Sequence, residues 1–189
     1  MKKIIFLALL FFSIFSFSQT KKSTFSNIQV DGFYGWVIEH DKKLENAIDG
    51  NPFGVLIQFN FLNKNNTEFN TLYNSPEKGF SFIYEDFNSG VLGKAVGLFR
   101  HFNYNLTPKN KNSLTLITAF GLGYVSKKYD GNKNPFNSAL GSKLNVSAYL
   151  KLNYFQTILK NKLTFRTGLN LIHFSNVGFK SPNLGINTV

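Results

Sequence analysis

The chain contains no cysteine, which removes disulfide frameworks, thiolate nucleophiles and cysteine-ligated metals from consideration. Acidic residues are scarce: 10 Asp and Glu stand against 21 Lys and Arg in 189 residues, a formal charge of +11. Beyond the first twenty residues no apolar run approaches the length of a spanning helix, because the Phe-rich stretches are broken by Asn, Lys and Gly. No internal repeat and no linker divides the chain, and no His/Asp/Glu spacing suggests a zinc site. A nucleic-acid reader is excluded on similar grounds, since the basic excess comes with no base-stacking motif or recognisable module.

What is present begins with an export signal. Lys2 and Lys3 precede an apolar run over residues 4–12, and Ser16 and Ser18 supply small residues at the −3 and −1 positions before Gln19. This pattern predicts a cleaved signal peptide over residues 1–18 and a mature domain over 19–189, with a charge of +9 once Lys2 and Lys3 leave (19 basic against 10 acidic). The phosphates of lipopolysaccharide are the natural acidic partner for an exported basic chain, although a merely solvated basic surface gives the same count. The 22 Phe and 8 Tyr suit a transmembrane barrel, where apolar residues alternate with polar ones and aromatic girdles mark the interfaces.

Hydrophobic periodicity carries the fold. Over 144–154 the even positions are Leu, Val, Ala, Leu, Leu and Tyr, and the odd positions between them are Asn145, Ser147, Tyr149, Lys151 and Asn153. Residues 113–125 alternate alike, and Phe53, Val55, Ile57, Phe59 and Phe61 form a third apolar row. Period two is the signature of a half-buried strand. Further strands are expected at about 28–39, 79–86, 91–106 and 162–176, separated by polar loops at 42–52, 63–77, 107–112 and 128–138. A soluble sandwich or lipocalin-like barrel would alternate similarly. The expected fold is an all-β, antiparallel transmembrane barrel, eight-stranded when complete. Seven strands are legible and 183–187 leads toward another, which suggests truncation before the closing strand.

The chemistry gathers near residue 175. Leu163, Phe165, Leu169 and Leu171 share one face of the strand at 162–176, and His173 and Ser175 continue that face. Residues i and i+2 of a strand point the same way, so a base and a hydroxyl stand together where a barrel meets lipid. The segment His173-Phe174-Ser175-Asn176-Val177-Gly178, followed by Pro182-Asn183-Leu184-Gly185, resembles the active-site signature of lipid A 3-O-deacylases, small outer-membrane barrels with a Ser-His-Glu triad. The resemblance implies a serine esterase that removes a fatty-acyl chain from lipid A and needs no cofactor. It implies Ser175 as nucleophile and His173 as general base. It also implies oxyanion or substrate-positioning roles for Asn176, the Gly178 N–H and the Asn183 side chain.

One position departs from the pattern. The family's carboxylate falls fourteen residues after the histidine, where this chain has Asn187. An Asn at that place is similar to the Ser-His-Asn triad of outer-membrane phospholipase A. Its carbonyl can hold the imidazole tautomer but brings no charge. Glu39, Glu85 and Asp86 are the alternative acidic orienters, while His40 and His101 are expected to be structural. Glycerophospholipid is therefore the second candidate substrate, and a non-catalytic pore or structural barrel the reading of a different class.

Overall fold

The computed structural model describes residues 23–63, 68–73, 75–107, 112–158 and 163–189. The expected signal peptide, and parts of the loops expected at 63–77 and 107–112, lie outside them. Eight strands form one antiparallel sheet in sequence order: β1 (Ser23–Tyr34), β2 (Phe53–Asn63), β3 (Glu77–Asp86), β4 (Lys94–Asn105), β5 (Asn112–Val125), β6 (Leu144–Ile158), β7 (Leu163–Ser175) and β8 (Ile186–Thr188). A 3₁₀ helix (Lys42–Ala47) and a five-residue α-helix (Glu68–Leu72) lie in connections. No helix among the described residues is long and apolar enough to cross a membrane.

The sheet curls so that its last strand meets the segment that follows its first. β8 pairs with β7 on one side. On the other, residues 36–38 pair with it: the N–H of Trp36 and the O of Val189, the N–H of Val189 and the O of Trp36, and the N–H of Ile38 and the O of Asn187 bond at 3.0, 3.0 and 2.8 Å. Farther from this rim β1 and β7 are joined by side chains. Asp31 accepts ion pairs from Lys151 and Arg166, and Arg166 also donates to the carbonyl of Val30 at 3.1 Å.

The layering is inverted relative to a water-soluble protein. Along β6, Asn145, Ser147, Tyr149, Lys151 and Asn153 are buried inside, while Leu144, Leu150, Leu152 and Tyr154 are exposed. Phe80, Leu98, Phe120 and Leu169 are exposed on the neighbouring strands. Inside, His101 bonds Ser81 (3.1 Å) and Asn60 (2.8 Å), and Tyr149 bonds Ser81 (2.8 Å) and Gln58 (3.2 Å). Hydrogen-bonded polar groups line the interior and apolar side chains coat the wall, as a bilayer requires. Beneath the rim carrying residues 35–52 and 126–143 the interior is apolar, with Leu44, Phe87, Leu140, Ile172 and Phe174 in a buried cluster that continues along the barrel to Phe99 and Ile117.

The boundaries differ from the periodicity at β1, which begins at Ser23 rather than near 28 and also ends early, and at β4. β1 stops at Tyr34, because Gly35 donates to the Pro52 carbonyl and the chain then turns to pair with β8. β4 begins at Lys94 because residues 87–93 form a tight loop, closed by the Phe87 N–H on the Gly93 carbonyl (3.0 Å) with Gly93 at φ +73°. The eighth strand exists as three residues.

Candidate active site

The end of β7 is fixed from the inside. Ile172 and Phe174 are buried, and Phe174 meets Phe87 edge-on with ring centroids 6.1 Å apart. Strand alternation then puts His173 and Ser175, both half-buried, on the outer face. Across β6 they face Ala148 and Val146, small residues that leave room beside the imidazole and the hydroxyl. Across β8, His173 stands directly opposite Asn187.

That pairing makes a bond. His173 Nδ1 lies 2.7 Å from Asn187 Oδ1, and because an amide oxygen only accepts, Nδ1 carries a proton, which in the neutral ring leaves the lone pair on Nε2. The other acidic candidates are elsewhere. Glu85 is fully buried in the barrel interior, on the opposite side of the wall from the His173 ring. Asp86 pairs with Lys94 at 3.0 Å, and Glu39 is exposed.

Ser175 is held by the loop that follows it. Its Oγ donates to Asn183 Oδ1 (3.2 Å) and accepts from the Val177 N–H (3.1 Å). No hydrogen bond joins it to His173, so the hydroxyl must swing from Asn183 toward the imidazole before proton transfer, a common feature of sites without substrate. The Asn176 N–H also donates to Asn183 Oδ1 (2.9 Å), which settles the orientation of that amide. Two donors converge on its oxygen and its Nδ2 is left without a protein partner among the described residues. Asn183 therefore offers a free N–H₂ next to Ser175.

Asn176 and Gly178 serve the loop itself. Asn176 is buried, donates to the carbonyls of Lys180 (2.6 Å) and Pro182 (3.4 Å), and accepts the Gly178 N–H (3.0 Å). The Gly178 N–H can meet an oxyanion only by sharing or releasing that bond. Residues 182–185 are clamped in turn by the connection from β5 to β6, through Gly141 N–H to Pro182 O (2.7 Å) and Gly185 N–H to Ala139 O (3.0 Å).

Two neighbours stand at the site without a catalytic role having been read for them in the sequence: Gly185, part of the signature, and His40, expected to be structural. Gly185, at φ +79°, leaves its face open to the imidazole: a Cβ there would sit 2.9 Å from His173 Cε1. His40 touches the far side of Asn187, with Asn187 Nδ2 3.2 Å from His40 Nδ1, and its Nε2 lies 2.9 Å from the carbonyl of Leu184. Nothing in the spacing could have found it, because only the pairing of residues 36–38 with β8 joins positions 147 residues apart. Among the described residues no cluster of three or more His, Asp or Glu is gathered as a metal site.

The arrangement is a hydroxyl, an imidazole with a free Nε2, an orienting amide and a spare amide donor on the apolar outer wall. Groups of these types, so placed, can support acyl transfer. A family model described as lipid A 3-O-deacylase (PagL) matches residues 53–189. Neither the curated proteins nor the solved structures yield a match to the chain.

Proposed function

The chain belongs to the lipid A 3-O-deacylase (PagL) family, and on that premise we propose that it cleaves the ester with Ser175 as nucleophile and His173 as general base. Deacylation of lipid A by an outer-membrane hydrolase is the activity that family membership carries; the residue roles are our reading. The observation behind them is the 2.7 Å bond from His173 Nδ1 to Asn187 Oδ1 on the wall that also exposes Ser175.

In this mechanism Ser175 Oγ adds to the ester carbonyl while His173 Nε2 takes the hydroxyl proton. The Asn183 Nδ2–H donates to the oxyanion that develops. Collapse of the tetrahedral intermediate expels the sugar oxygen, which receives the proton from His173 and leaves as the alcohol. Water then repeats the sequence on the acyl-serine, releasing the fatty acid and restoring Ser175. Asn187 holds the imidazole tautomer without charge. The longer connections on the site rim, residues 35–52 and 126–143, favour the extracellular side, where lipopolysaccharide lies, because barrels of this kind carry short turns on the periplasmic side. On this reading residues 1–18 act as an export signal removed from the mature protein, and 19–189 belong to the outer-membrane barrel domain.

The amide at position 187 also favours a second substrate, since a Ser-His-Asn set resembles outer-membrane phospholipase A. Purified enzyme offered lipid A and phosphatidylethanolamine separates the two. Ser175→Ala and His173→Ala should each remove most hydrolysis, leaving about 10³–10⁴-fold acceleration over water as in other serine hydrolases. Both variants should retain the heat-modifiable gel migration of a folded barrel. Full deacylation of lipid A by folded Ser175→Ala protein rejects the assignment.

A further inference from the structure

We propose that His40 is a positioning residue that fixes the Asn187 amide in the one orientation keeping His173 in its base-competent tautomer, a role that rests on the Ser175–His173 mechanism above. The reasoning starts from an asymmetry. A carboxylate beside a catalytic imidazole accepts with either oxygen, but an asparagine accepts with one atom and donates with the other. Turned by 180°, Asn187 would present its NH₂ to His173 Nδ1, which would drive the ring proton onto Nε2. A protonated Nε2 cannot take the Ser175 proton, and a mistaken tautomer is ruinous in such sites. An Asn in this position needs something behind it to prevent the turn.

His40 supplies that. Its Nε2 lies 2.9 Å from the Leu184 carbonyl, an oxygen that only accepts, so in the neutral ring Nε2 carries the proton and Nδ1 is a lone pair. That lone pair faces Asn187 Nδ2 at 3.2 Å. The NH₂ is thereby held toward His40 and the oxygen toward His173, where the 2.7 Å bond is made. A second oxygen, that of Ile38, lies 3.1 Å from His40 Nδ1 and can be served only by the doubly protonated ring. The backbone sets the arrangement: Ile38 donates to the carbonyl of Asn187 at 2.8 Å, and His40 follows two residues later. His40 precedes residues 53–189, the part of the chain that the family model matches, so the resemblance does not supply it. A simple strut between residues 38 and 184 is the competing account, and its effect would not depend on which side chain occupies position 187.

The test is a double-mutant cycle on the full-length protein, His40→Ala and Asn187→Asp singly and together, with purified lipid A as substrate. Loss of one neutral hydrogen bond predicts that His40→Ala lowers kcat about fivefold, equivalent to roughly 1 kcal/mol, with KM little moved. In the Asn187→Asp background the same replacement should cost less than about twofold, since either carboxylate oxygen accepts from His173. Equal losses in both backgrounds, or no loss with Asn187 present, overturn the proposal. A readout independent of turnover is the nitrogen-15 spectrum of His173: Nδ1–H in the parent protein, a mixture of tautomers in His40→Ala. A ring that stays wholly Nδ1–H in His40→Ala overturns the role of His40 whatever Ser175 does, whereas an active Ser175→Ala protein overturns only the catalytic reading.

Discussion

Gly185 shows how little room the site allows. Its φ of +79° disfavours any side chain, and the space a Cβ would occupy is 2.9 Å from His173 Cε1. Gly178 has a similar φ of +75° but open space around it. Backbone strain of about 1–2 kcal/mol applies to an alanine at either position, so only the clash distinguishes them. Gly185→Ala should lower kcat for lipid A hydrolysis far more than Gly178→Ala, with both proteins still folded by heat-modifiable migration; similar losses would mean that the imidazole has slack. Asn183 gives a second residue-scale expectation. If its free Nδ2 meets the oxyanion, Asn183→Ala should lose about 2.7–4 kcal/mol of transition-state stabilisation, a fall of 10²–10³ in kcat. A fall confined to KM would point instead to substrate binding. At this scale the sequence displays His173, Ser175, Asn183 and Asn187 because they share a short segment with fixed spacing. It conceals the place of His40, and although Gly185 belongs to the signature, nothing in the spacing shows that it stands against the imidazole.

The strands are legible for a physical reason: a wall with a polar inside and an apolar outside must alternate at period two. β6 is the clearest instance, with every odd residue from Asn145 to Asn153 buried. Where reading by alternation drifts, it does so at glycines. Gly35 and Gly93 end the ladder while the apolar rhythm continues through Trp36 on one side and Val91 on the other. β8 escapes such reading because three residues are too few to show a period. The alternation also makes a graded prediction along one row of β6. Leu150, in the middle of the strand, should cost roughly 2–4 kcal/mol when replaced by Arg, whereas Leu144→Arg, at the rim, should cost about 0–1 kcal/mol. Urea unfolding in lipid vesicles measures both, and equal costs would contradict a bilayer-spanning wall.

For the molecule as a whole, the weak point of the wall is the boundary between β1 and β7. Below β8 it is held by Asp31, which accepts from both Lys151 and Arg166 in a poorly exposed setting. Removing one partner of a buried ion pair strands the others. Asp31→Ala should therefore destabilise the barrel by about 3–5 kcal/mol at the fully buried limit, seen as a drop in the temperature at which the folded band disappears from a gel. Lys151→Met, which leaves Asp31 its bond to Arg166, should be milder; the reverse order would mean that Lys151 and not Asp31 is the keystone. The same boundary has a chemical consequence. Asn187 meets His173 only when β8 docks on β7, and it meets His40 only when residues 36–38 dock on β8. On the proposed mechanism, a chain in which β8 has not docked carries Ser175 and His173 without the amide that sets the imidazole tautomer, so closure of the sheet is expected to arm the site.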